Sequence, residues 1–167
     1  MSSTVPASPV PTRPVPTRPV PTRPVPTKAH LIEEFAALGA AYYQDFAAVA
    51  ARHGLTSVQA KALAVLVRKP VPMRGLAEAL VCDASNVTGL VDRLELRGLV
   101  RREVSSADRR IKIVVATEAG VSAIRAVRAD MQSTHQALDL LDDHERTVLY
   151  ELLTRLRPVL EQAAAEG

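Results

Sequence analysis

Cys82 is the single cysteine of the chain, so no internal disulfide can form, and an unpaired thiol fits a reducing compartment, the cytoplasm. No apolar run approaches the roughly 18 residues a membrane helix needs, and the N-terminus lacks the apolar core of a secretory signal. Neither a membrane span nor export is expected. No nucleophile, general base and orienting group are clustered by motif, and there is no phosphate loop, so an enzyme is disfavoured. His30, His53, His135 and His144 show no ligand-like pairing with one another or with Cys82, which leaves no metal spacing and no expected cofactor. Net charge is also scarce: 21 Lys and Arg against 18 Asp and Glu leave +3 over 167 residues, which alone selects no partner. The length fits one domain with a modest appendage.

Proline is what the chain has in excess. Nine of the 12 prolines lie at or before Pro26. From Pro9 the sequence reads PVPTR, PVPTR, PVPTR, PVPTK, ending at Lys28. A proline at every second or third position removes backbone donors and fixes φ, so residues 1–28 are expected to form a disordered, extended polyproline II tail without a core.

Divided by segment, the charge acquires a pattern. Residues 1–28 carry Arg13, Arg18, Arg23 and Lys28 and no acid. Residues 54–116 hold 11 basic and 6 acidic residues, a balance of +5, whereas 29–53 sum to −2 and 117–167 to −4. A basic module between acidic helices is the layout expected if the middle of the chain meets phosphate.

Hydrophobic spacing supplies the elements. Leu31, Phe35, Leu38, Tyr42, Phe46 and Val49 predict an amphipathic helix from about 29 to 52 that stops at Gly54. Thr56 and Gln59 form a capping-box signature for a second helix, which ends before Pro70 and Pro72. A short third helix carries Met73, Leu76, Ala77 and Leu80. Asp83 is the expected N-cap of a fourth, with an inner face of Val87, Leu90, Val91 and Leu94 and a stop at Gly98. These two short helices make a helix-turn-helix candidate. Val100 to Glu103 and Ile111 to Val115 read as a β-hairpin. Thr117 then caps one long helix through Val121, Ile124, Val127, Met131 and Leu138, and Asp142 with Glu145 caps a last one carrying Leu149, Leu152, Leu153, Leu156 and Leu160. These stripes and the first helix exceed what a small core needs, so an intersubunit interface is expected.

The stretch from Asp83 to Gly120 resembles the core signature of the multiple-antibiotic-resistance regulator (MarR) family. The matching pieces are SNVTGLVDRLELRGLV, DRR at the wing tip and TEAG after it, with LTSVQAKAL upstream. The resemblance covers roughly 29–165 and implies a mainly α fold: a winged helix-turn-helix over 55–116, framed by dimerisation helices at 29–53 and 117–165, in a domain of 29–167. It implies a homodimeric transcriptional regulator that binds double-stranded DNA at a pseudo-palindromic operator, most often as a repressor relieved by a small aromatic or phenolic effector.

Physical chemistry gives each matching piece a role. Ser85, Asn86 and Thr88, short and polar near the start of the recognition helix, suit close approach to base edges, although Ser85 and Asn86 also read as an extended helix cap. Arg93, about one turn on, is the expected phosphate contact. Gly89 lies where the family often has a long basic residue, which weakens base readout at that step. Asp108 and Arg110 match the family's D-x-R wing element, in which the carboxylate orients an arginine into a narrow minor groove. Arg109 is a further phosphate candidate.

For an effector the sequence offers less. Phe35, Tyr42, Tyr43 and Phe46 lie on the first helix, where packing explains most aromatics. Tyr43, off the main stripe, is the pocket candidate. Cys82 precedes the recognition helix, not the first helix where peroxide-sensing members keep their thiol, so that activity does not carry over; a buried small hydrophobe is the expected state. The tail admits three readings: filler, a DNA-tracking arm with charges roughly 15 Å apart, or a PxxP ligand through Pro11 and Pro14. The alternative to DNA binding is a winged-helix protein-interaction or ligand-binding module without an operator, against which the Asp108 and Arg110 pair and the basic module weigh.

Overall fold

The computed structural model describes residues 24–105 and 108–166. The repeats up to residue 23 and two residues of the wing tip, Ser106 and Ala107, lie outside them. In chain order the elements are α1 (Lys28–Arg52), α2 (Ser57–Leu66), β1 (Val71–Pro72), α3 (Met73–Leu80), α4 (Ala84–Leu96), β2 (Val100–Val104), β3 (Lys112–Ala116), α5 (Glu118–Ala129), α6 (Gln132–Asp139) and α7 (Asp143–Glu166). This is a mainly helical fold with a winged helix-turn-helix at its centre.

Local chemistry sets most of these boundaries. The capping box at α2 is complete: Thr56 Oγ1 accepts from the Gln59 N–H (3.2 Å) and the Thr56 N–H donates to Gln59 Oε1 (3.0 Å). Asp142 and Glu145 make the same reciprocal pair at α7. Asp83 stands at the N-cap position of α4 but makes no side-chain capping bond. Three helices close by the same C-terminal turn, with a backbone N–H reaching five residues back: Leu55 to Ala50, Cys82 to Ala77, and Leu99 to Leu94. Two of these turns place Gly54 (φ +68°) and Gly98 (φ +69°) in the left-handed region, and the third places Val81 there (φ +54°). For a β-branched residue that conformation costs about 1 to 2 kcal/mol.

The core is aliphatic. Leu63, Leu76, Leu94, Ile124, Val49, Val87, Val91, Val100, Val114 and Val127 are fully buried, each contributing about 1.5 to 3 kcal/mol. α2 is its hub, packed on α1, α3, α5 and β3. Only the C-terminal part of α1 takes part, through Phe46, Val49 and Ala50.

Two features depart from the sequence-based expectation. The sheet has a third strand: β1 pairs antiparallel with β3 (Val71 opposite Val114, Pro72 opposite Ile113), giving the order β1-β3-β2. Its one proline, Pro72, read with Pro70 in the sequence as a helix stop, also suits an edge strand, where one row of backbone donors has no partner.

The expected single helix after Thr117 is also two helices, α5 and α6. The cause is tertiary. Buried Met131 leaves helical geometry (ψ 69°), and the carboxylate of Asp130 meets His53 Nε2 at 2.8 Å. Asp45 of α1 then caps α6 from outside, accepting from the Thr134 N–H (3.0 Å) and hydroxyl (2.7 Å). The Thr134 hydroxyl bond is the leading reason that the Asp45 carboxyl titrates below its ordinary range. Leu138, expected on the inner stripe, is exposed.

α5 meets the wing base at its closest at Gly120. A Cβ there would stand 2.1 Å from the Leu99 carbonyl oxygen, a backbone atom that cannot swing aside. Gly120→Ala is therefore expected to lower stability by about 2 kcal/mol or more, read as a fall of several degrees in Tm; an unchanged Tm would contradict the tight approach.

Candidate nucleic-acid interface

The interface begins with the phase of α4. Val87, Leu90, Val91 and Leu94 are buried, which turns Ser85, Asn86, Thr88 and Arg93 to the surface, where all four are exposed. Asn86 donates its backbone N–H to the Asp83 carbonyl at 3.0 Å, and no acid occupies the first turn of α4. The positive end of the helix dipole therefore coincides with the short polar side chains.

The wing presents Asp108, Arg109 and Arg110, all exposed. The Asp108 carboxylate accepts from the backbone N–H of Arg110 at 2.9 Å. The acid thus fixes the turn from which Arg110 projects, and it holds the arginine's backbone, not its guanidinium. The Ser105 N–H to the Ile111 carbonyl (2.9 Å) and the Ile111 N–H to the Asp108 carbonyl (3.0 Å) close the base of the loop.

Two arginines that the sequence entered only as positive charge are structural. Arg97 donates to the Gly54 carbonyl at 2.8 Å, pinning the end of α4 to the joint between α1 and α2. Arg102 on β2 pairs with both Asp92 and Glu95 of α4, and its own backbone N–H donates to Glu95 Oε1 at 3.0 Å. Its side chain is 24% exposed. The hydrogen bond to Asp92, then those to Glu95 and the two opposite charges, raise its pKa above the ordinary arginine value. This clamp fixes the wing against α4 and engages both acids on that flank, offsetting half of their charge. Its residues are separated in sequence by seven and ten positions, and no local pattern marks them.

Not all 11 basic residues of the module are consequently free to meet phosphate, although the pairs leave its net positive charge intact. Arg74 pairs with Glu78 and Arg101 with Glu103, whereas Lys61, Arg68, Lys69, Arg109, Arg110 and Lys112 make no ion pair among the described residues.

The other predicted positions lie elsewhere. Tyr43 on α1 is 43% exposed. Cys82 is half-buried against the core, not fully enclosed. A groove of about 370 Å³ lies between α1 and α7, lined by Phe35, Leu153, Leu156, Arg157, Leu160 and Glu161, and Tyr43 is not among its lining residues. Among the described residues no group of three or more His, Cys, Asp or Glu is placed to hold a metal ion, and no helix is long and apolar enough to cross a membrane.

If the clamp holds the wing, Arg102→Met leaves two facing carboxylates without a cation and lowers stability by about 1 kcal/mol. Adding Glu95→Gln should recover part of that loss in denaturant titrations. No loss, or no recovery, would contradict the assignment.

Comparison with known proteins agrees with this geometry. The MarR family model matches residues 53–111, from the end of α1 to the wing. The HTH-type transcriptional regulator YfiV of Bacillus subtilis is 38% identical over 95 residues, covering 54% of this chain; the chain spans 58% of that relative's length. A protein of Thauera aromatica, assigned as a transcriptional regulatory protein for the hcr operon, is 33% identical over 119 residues, covering 70% of this chain and 72% of its own. The crystal structure of CouR from Rhodococcus jostii RHA1 bound to p-coumaroyl-CoA superposes with a TM-score of 0.61 at 26% identity, over 80% of this chain and 91% of that one. Sequence motif, winged fold and relatives converge: the chain belongs to the MarR family.

Proposed function

We propose that the protein is a homodimeric, sequence-specific DNA-binding transcriptional regulator, a repressor relieved by a small-molecule effector, and that it acts in the cytoplasm without catalysing a reaction. The observation that carries this reading is the pairing of two exposed elements in one rigid module. The head of α4 offers Ser85, Asn86 and Thr88 beside a helix N-terminus, and the wing offers Arg109 and Arg110, the first matched to a major groove and the second to phosphate and minor groove. In this reading 55–116 is the reading head, and 29–53 with 117–165 join two copies.

The dimer reading draws on apolar surface. Leu31, Ile32, Phe35 and Leu38 of α1 and Leu153, Leu156, Val159 and Leu160 of α7 are all exposed in the single chain, an apolar surface of the kind that marks an interaction site. A second copy supplies the cover. CouR is seen with p-coumaroyl-CoA, and an effector with an aromatic group is the corresponding proposal here, with Tyr43 as a contact.

The test is a mobility-shift titration at physiological salt on the DNA flanking the protein's own gene. Arg110→Ala should weaken binding about tenfold or more, the worth of one good groove contact. Equal affinity of variant and parent would overturn the wing assignment.

A further inference from the structure

The outer face of α4 contains one position with no side chain. Helical phase aligns Ser85, Gly89 and Asp92 along that face, with Arg93 beside them. The Arg93 side chain does not extend away from the helix. Its Nε donates to the Gly89 carbonyl oxygen at 2.9 Å, and a Cβ built on Gly89 would lie 3.6 Å from Arg93 Nη2. The guanidinium therefore lies back over the bare backbone of Gly89, one turn nearer the head of the helix than its own Cα, the direction in which helical side chains lean.

This placement has a chemical consequence. A guanidinium offers five N–H donors in a planar fork. With Nε–H committed to Gly89, the two terminal nitrogens remain as an end-on fork, the shape that matches O6 and N7 of guanine in the major groove. Asp92, the neighbouring acid in the chain, is already held by Arg102.

We infer that Arg93 is a base-reading residue that takes a guanine in the major groove, and that the lack of a long side chain at Gly89, where a Cβ alone would make only ordinary contact, leaves its guanidinium room to do so. This rests on the DNA-binding function proposed above, and it replaces the phosphate role expected for Arg93 from its position in the sequence. Arg93 supplies from one turn further along the long cation that position 89 lacks.

Selection of bound duplexes from a randomised pool, with salt titrations of the selected site, tests the inference on the full chain. The parent should select guanine at one position of each half-site. Arg93→Lys keeps the charge and loses the fork, so preference at that position alone should fall about tenfold while the salt slope stays the same. Gly89→Leu fills the space the guanidinium uses and should lose the same preference although Arg93 is intact. If Arg93→Lys selects an unchanged motif, or if Arg93→Ala weakens all sequences equally and lowers the salt slope by about one, Arg93 is a phosphate contact and the inference is wrong. A parent that selects no sequence overturns the inference together with the DNA-binding function itself.

Discussion

The carbonyl of Leu99 is where the reading head is fastened to the rest of the chain. It accepts the Thr117 N–H at 3.0 Å, and the bare Cα of Gly120 packs where any Cβ would meet that oxygen. Thr117 adds two bonds, donating its hydroxyl to the Gly98 carbonyl (2.6 Å) and accepting from the Gly120 N–H (3.1 Å). The end of the recognition helix, the start of β2, the end of β3 and the first turn of α5 thus meet within a few residues. A close-packed joint with backbone on both sides transmits displacement instead of absorbing it. A shift of α5 therefore moves wing and recognition helix together.

A second joint links the helical frame and is polar and solvent-facing. Asp130 meets His53, the Asp130 carbonyl accepts from Arg52 (3.4 Å), and Asp45 caps α6 through Thr134. Charge-assisted bonds of this kind are individually modest at a surface. Their value here is positional, because they end α5 and redirect the chain into α6. The two joints divide the molecule into a stiff winged-helix head and a frame whose outer apolar faces on α1 and α7 stand exposed.

Legibility in the sequence followed the range of the interactions. The caps at Thr56, Thr117 and Asp142 and the stops at Gly54 and Gly98 are settled within four or five residues, so the pattern alone located them. The break at Met131 was invisible because no glycine or proline marks it; Asp45 and His53, about 80 residues upstream, make it. β1 escaped because two residues, one of them proline, carry no alternating pattern. The clamp of Arg102 on Asp92 and Glu95 escaped for a different reason: charge counting treats each ion as available, while pairing across a helix and a strand removes three at once. The candidate interface was legible as a list of residues. How Asp108 holds Arg110, and where the Arg93 guanidinium lies, depended on geometry.

The small net charge of +3 conceals this organisation, because acids and bases are sorted between frame and head. If two heads are joined through α1 and α7, their recognition helices must address successive turns of one face of a duplex. Hydroxyl-radical footprinting of the bound operator measures that directly. The account predicts two symmetric protected segments centred about one helical turn, roughly 10 base pairs, apart, flanked by minor-groove protection from the wings. A single unsymmetrical footprint, or none, would contradict it.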